Sequence, residues 1–168
     1  MIKFASAVLL SLGLSGCAGY HIGPVKPNYL ADVHTIAVPT FKNTTIVPRV
    51  EALVTDTVIK QFQQDGTFKI ASEHNADARL EGEIVRITRS PARSVRGNVL
   101  ATAEFNLSVH VKYKLVGRDG QQIGPGGDVG GSTSFFVSMD VTTDERQALP
   151  LAIEELATRL VSQLSEGW

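Results

Sequence analysis

The chain carries one cysteine in 168 residues, two methionines and one tryptophan. A single thiol excludes an intramolecular disulfide framework and excludes the paired-cysteine zinc motifs. Charge of one sign is also missing: 16 basic against 17 acidic residues give a formal net charge of −1, so no global basic footprint for nucleic acid exists. Four histidines, His21, His34, His74 and His110, are scattered without metal-ligand spacing, and a solvated His110 on a strand is expected. No internal repeat is visible, and beyond the first residues no stretch is long and apolar enough to span a bilayer. No nucleophile, base and orienting group can be recognised together, so the expectation is no enzyme, no catalytic residue, no metal and no cofactor.

What is present begins at the N-terminus. Lys3, the apolar run Phe4 to Leu14, and then Leu14-Ser15-Gly16-Cys17 have the form of a short secretory signal. A leucine, two small residues and a cysteine resemble the bacterial lipobox, in which the thiol receives a diacylglycerol and the chain is cut before it. This supplies a use for Cys17, which has no partner thiol in the chain. Several acyl chains at about 0.8 kcal/mol per buried methylene make a durable anchor where one chain alone is marginal. Cleavage would leave 152 residues, the size of one domain with one core. The organisation expected is a signal at 1–16, a lipidated tether at 17–34 rich in Pro and Gly, and a single domain at 35–168.

Within that domain, Thr35 to Phe41 alternates as a strand, with Pro39 marking an edge or an end. From Pro48, the recurrence of Val50, Leu53, Val54, Thr57, Val58 and Phe62 predicts an amphipathic helix closed by Gly66. Phe68 to Ser72 and Ala78 to Thr88 read as strands; the apolar face of the latter switches between Ile84 and Val85, which predicts a bulge. Ala101 to Val116 alternates for eight consecutive pairs and predicts a long strand with one covered and one wet face. Gly117 to Gly131, with seven glycines and Pro125, reads as a mobile connection, and Ser132 to Met139 as the last strand. Leu149, Ala152, Ile153, Leu156, Leu160 and Leu164 stripe a second helix, and Pro150 predicts that it starts near Ala148 or kinks there. The expected fold is α+β: a two-layer α/β sandwich of order β-α-β-β-β-α, a mixed four-stranded sheet covered by two helices.

Arg86, Arg89, Arg93 and Arg96 fall within eleven residues that contain no acid, at the tip between two long strands. Guanidinium forks grip phosphate or carboxylate in two-pronged fashion. Recognition of an anionic partner and a merely solvated hairpin tip are both open readings of the four. Trp168 could dock on the sheet or touch a partner. The glycines at 124, 126, 127, 130 and 131 lack the Lys-Ser/Thr of a phosphate loop.

The segments Ala18 to Gly23, TIAVPTFKNTT at 35–45, VEALVTDTVIKQFQQDGTFKI at 50–70, ADARLEGEI at 76–84 and the closing ERQALPLAIEELATRLVSQL together resemble the lipopolysaccharide-assembly lipoprotein family, LptE. The resemblance implies an outer-membrane lipoprotein facing the periplasm, anchored through lipid on Cys17, and folded as a two-layer sandwich. It implies a non-enzymatic plug and assembly partner of the LptD β-barrel, with lipopolysaccharide as a second partner. On charge and position, Arg86, Arg89, Arg93 and Arg96 are the candidates for lipopolysaccharide contact. A generic envelope lipoprotein that binds another barrel or the cell wall, and an envelope hydrolase, are the competing classes.

Overall fold

The computed structural model describes residues 26–93, 103–137 and 141–166. The described elements are a 3-10 turn (Asn28–Leu30), β1 (Thr35–Ala37), β2 (Lys42–Asn43), α1 (Val50–Asp65), β3 (Lys69–Ile70), β4 (Ala78–Arg93), β5 (Ala103–Gly117), β6 (Gln122–Val137) and α2 (Val141–Glu166). They form one mixed sheet in the order β3-β1-β4-β5-β6, with β2 joining β4 beyond the end of β1. The short strands β1, β2 and β3 pair in parallel, whereas β4, β5 and β6 form antiparallel hairpins. The order β-α-β-β-β-α is as expected, but the sheet has six strands among the described residues where four were expected.

One extra strand arises because the first segment is interrupted, the other because Lys69–Ile70 pairs with β1 as a strand separate from β4. β1 stops at Ala37, just before Pro39, and the chain rejoins β4 at Lys42. In between, Phe41 turns inward, and its ring fills the space left by the missing side chain of Gly82, where a Cβ would collide with the ring. The bulge expected after Ile84 is present, as a register shift between Ile84 and Arg86.

The main correction concerns the glycine-rich segment. Gln122 to Gly131 is not a mobile connection but the first half of β6, paired with β5 over nearly its whole length. The glycines serve close approach rather than freedom: a Cβ on Gly127 would strike the Tyr113 ring, and one on Gly131 would run into the backbone of α2 at the Ala152 carbonyl. Only Gly124 in this strand has a left-handed φ, 66°.

Both helices pack on one face of the sheet. Val54, Val58 and Phe62 of α1, and Ala152, Ile153, Leu156 and Leu160 of α2, cover Leu80 and Ile84 of β4 and Val109 and Val111 of β5. The helices meet at their C-terminal ends, where the buried Ser165 hydroxyl donates to Asp65 Oδ1 at 2.9 Å. The body also reaches further back than residue 35: Leu30 and Val33, in the expected tether, are buried in this core. α2 begins at Val141, earlier than Pro150 suggested. Ala148 packs with Leu107 and Phe135 on one side of Pro150, and Ala152 and Ile153 are fully buried on the other. This packing offsets the roughly 3 kcal/mol that an interior proline costs. α1 in turn starts at Val50, not at Pro48, after Arg49 in the left-handed region.

Asp77 ties the parallel and antiparallel parts together. Its Oδ2 accepts from the Thr35 N–H at 2.9 Å, the Thr35 hydroxyl at 2.8 Å and the His34 N–H at 3.1 Å. Its Oδ1 pairs with Arg118 Nη2 at 3.0 Å, and Arg118 also donates to the Ala76 and Asn75 carbonyls. One carboxylate thus fixes the start of β1, the start of β4 and the β5–β6 turn.

Candidate functional site

With both helices on one face, the opposite face of the sheet is uncovered. Because side chains alternate along a strand, this face is spelled by every second residue. Its proximal half is a ladder of balanced charge. Lys42 Nζ is 3.5 Å from Glu83 Oε1, and Lys114 Nζ is 3.0 Å from Glu81 Oε2. Arg79 reaches Glu81 at 2.6 Å and Glu73 at 3.8 Å. Lys112 stands in register with Glu83 on one side and Asp128 on the other. Hydrogen bonds from Lys114 and Arg79 hold the Glu81 carboxyl below its ordinary range. With Pro39, Thr40, Gln122 and the glycines at 82, 126 and 127, these residues line an open depression of about 940 Å³. Tyr113 also borders the depression, while its side chain lies on the helix side of the sheet: burial raises its pKa, and its hydroxyl donates to Gln163 Oε1 of α2 at 2.9 Å.

The distal half of the same face changes character. Arg86 opposite His110, Thr88 opposite Ser108, and Ser90 opposite Asn106 continue onto Gly130, Ser132 and Ser134 of β6. Arg86 is exposed and has no ionic partner among the described residues. Beyond Ile84, β4 has no strand on its β2 side among the described residues, so the Arg86–Arg93 stretch forms an edge. Charged residues and a proline, here Pro91, are common on such edges.

Of the four sequence-predicted arginines, Arg86 and Arg89 do not share a face. Arg86 and Arg89 are three residues apart on a strand and so face opposite sides of the sheet. Arg89 lies on the helix side: its Nη1 is 3.0 Å from Glu145 Oε2 of α2 and its guanidinium is 5.5 Å from the centre of the Phe105 ring. Arg93 stands at a register position opposite Glu104, after a second irregularity. Arg96, the cysteine Cys17 with its lipobox, and Trp168 lie outside the described residues.

On the outer edge of β6, α2 takes up two backbone groups. Glu155 accepts from the Ser132 N–H, and Arg159 Nη1 donates to the Gly130 carbonyl at 3.2 Å, while the two side chains pair with each other. Sequence reasoning missed this clamp, although the i,i+4 spacing of Glu155 and Arg159 was visible. Among the described residues, no group of three or more His, Cys, Asp or Glu is placed to hold a metal, and no helix is long and apolar enough to cross a membrane.

A mixed sheet with both helices on one side and a polar second face defines a small two-layer α+β sandwich. The same fold occurs in a minor lipoprotein from Acinetobacter baumannii, with a TM-score of 0.51 at 14% identity, covering 79% of this chain and 92% of that one. It occurs in the PelC dodecamer of Paraburkholderia phytofirmans, TM-score 0.54 at 18% identity, covering 84% and 93%. It is found again in the hypothetical protein CT253 from Chlamydia trachomatis, TM-score 0.55 at 10% identity, covering 79% and 96%. At these identities the likeness is one of fold. No curated protein matches the chain in sequence. The family is given by a match over residues 33–164: the chain belongs to the LptE family, described as lipopolysaccharide-assembly, a family of non-enzymatic lipoproteins.

Proposed function

We propose that this lipopolysaccharide-assembly lipoprotein is anchored through lipid on Cys17 to the periplasmic side of the outer membrane, and acts there as plug and assembly partner of an LptD β-barrel. The observation that carries the reading is the uncovered sheet face. Its proximal ladder pairs Lys42, Arg79 and Lys114 with Glu83, Glu73 and Glu81, so it is polar without net attraction for one sign of charge. A barrel lumen is likewise polar and wet, and a wide barrel has room for a folded domain. Exposed ion pairs of this kind lose little on meeting such a wall, because each is worth only about 0–1 kcal/mol in water.

Lipopolysaccharide contact belongs to the distal end. Arg86, exposed and without an ionic partner among the described residues, meets lipid phosphates there, and Arg93 and Arg96 are assigned the same role from the sequence. Arg89 joins them only by releasing Glu145. The barrel role is tested by co-expressing the full chain with the LptD barrel of the same organism and purifying the barrel from outer membranes. Stoichiometric recovery of this chain is expected, and recovery at background would overturn the reading. Replacing Arg86, Arg93 and Arg96 together with Ala is expected to weaken lipopolysaccharide binding while the melting temperature stays unchanged. Equal affinity removes the arginines from the mechanism.

A further inference from the structure

The two halves of the uncovered face differ in what their polar groups are engaged with. In the proximal half, Lys42, Lys114 and Arg79 are paired with carboxylates of the same face. In the distal half, the side chains of Thr88, Ser90, Asn106, Ser108 and His110 have no hydrogen-bond or ionic partner among the described residues, although Asn106, Ser108 and His110 are half-buried. They stand on neighbouring rungs of β4 and β5, continued on β6 by Ser134 and by Ser132, whose hydroxyl is 3.4 Å from Glu155 Oε2. These rungs end at two unlike groups. At the near end is Arg86, in register with His110, whose ring lies against the bare backbone of Gly130. At the far end is Phe136, two residues beyond Ser134 and so on the same face, 62% exposed on an otherwise polar surface. From His110 to Glu104, the register partner of Phe136, the strand runs for about 20 Å.

We propose that this half of the sheet is a saccharide platform for the sugar portion of lipopolysaccharide, which runs from the lipid phosphates on Arg86 to a pyranose ring stacked on Phe136. The proposal rests on the lipopolysaccharide contact assigned above to the distal end, and names the part of that ligand which lies on the sheet. Hydroxyls and a primary amide each donate and accept, as sugar hydroxyls do, so a row of them satisfies a polyol in either sense of its hydrogen bonds. Charge agrees: between Arg86 and Glu104 the rungs of β5 carry a histidine, a serine and an asparagine and no acid, which suits an uncharged sugar chain continuing from a phosphate end. The electron-rich face of a phenyl ring attracts the polarised C–H groups on one side of a pyranose, which gives an exposed Phe136 a use on a wet surface. An acyl chain is the weaker match, because a bed of hydroxyls with one ring at its end would leave those hydroxyls unpaired beneath it.

The test titrates the full-length chain, purified in detergent, with intact lipopolysaccharide, with the lipid-free saccharide released from it by mild acid, and with a peptidoglycan-derived glycan of similar length. In calorimetry and saturation-transfer NMR the wild type is expected to bind the first two and not the third. Phe136→Ala is expected to weaken saccharide binding by roughly tenfold and Asn106→Ala by roughly fivefold, each with an unchanged melting temperature. Phe136→Trp, which keeps an aromatic face, and Lys60→Ala, at an exposed position on α1, are expected to match wild type. Binding of intact lipopolysaccharide without binding of the free saccharide, wild-type affinity in Phe136→Ala and Asn106→Ala, or equal binding of the peptidoglycan glycan overturns the platform while leaving the lipopolysaccharide reading intact. Failure of the wild type to bind either lipopolysaccharide or its saccharide overturns both.

Discussion

Removing the Asp77 carboxylate should loosen the junction at which three parts of the sheet meet. Asp77→Asn keeps the shape of the side chain but removes the charge that gathers the Thr35 N–H and hydroxyl, the His34 N–H and Arg118. A hydrogen bond to a charged group contributes about 1.5–3 kcal/mol where it is shielded from water. The Asp77 side chain is 28% exposed, so solvent replaces part of what is lost, and the amide oxygen can still accept from Thr35. The expected destabilisation is about 2 kcal/mol at neutral pH, equivalent to a fall in melting temperature of roughly 6–10 °C for a domain of this size. The hydrogen bond from the Thr35 side chain, followed by the backbone donors, lowers the folded-state pKa of Asp77 below its ordinary 3.8. A lowered carboxylate pKa adds stability that is fully present above 3.8 and is lost as the pH falls through the folded value. Denaturant titrations of wild type and Asp77→Asn between pH 7 and pH 2 should therefore show a gap that is constant down to about pH 4 and closes below it. A gap that stays open at pH 2, or none at pH 7, would refute the assignment of the junction to this charge.

Two further outcomes follow from the fold and the sequence. Gly131→Ala should destabilise by about 2–3 kcal/mol or more in thermal melts, because the new methyl meets the backbone of α2 rather than a side chain that can move; Ser132→Ala next to it should be nearly neutral. Cys17→Ser should leave an unlipidated, uncut precursor of higher mass, which mass spectrometry would read directly.

Much of the fold was legible because its strongest signals are periodic. The alternation from Ala101 to Val116 announced β5, described as Ala103–Gly117, and its wet face, and the apolar switch after Ile84 announced the bulge that the pairing register shows. Gly66 closed α1 where a left-handed residue was required, at φ 76°. What failed was the reading of glycine. In the first half of β6 the glycines answer to neighbours remote in sequence, the Tyr113 ring and the α2 backbone, and no local pattern reveals those. β1 and β2 were merged for a related reason: the break between them exists so that Phe41 can fill the space above Gly82, a contact between residues far apart along the chain. The arginine cluster was legible as charge but not as geometry. Counting three residues from Arg86 to Arg89 along a strand would have placed them on opposite faces, and only the position of Glu145 on α2 shows which one is already engaged.

The clamp of Glu155 and Arg159 over β6 bears on how copies of this chain meet one another. An open strand margin is an invitation to zip onto an identical neighbour. By occupying the Ser132 N–H and the Gly130 carbonyl from within, α2 denies a second copy two rungs of that margin.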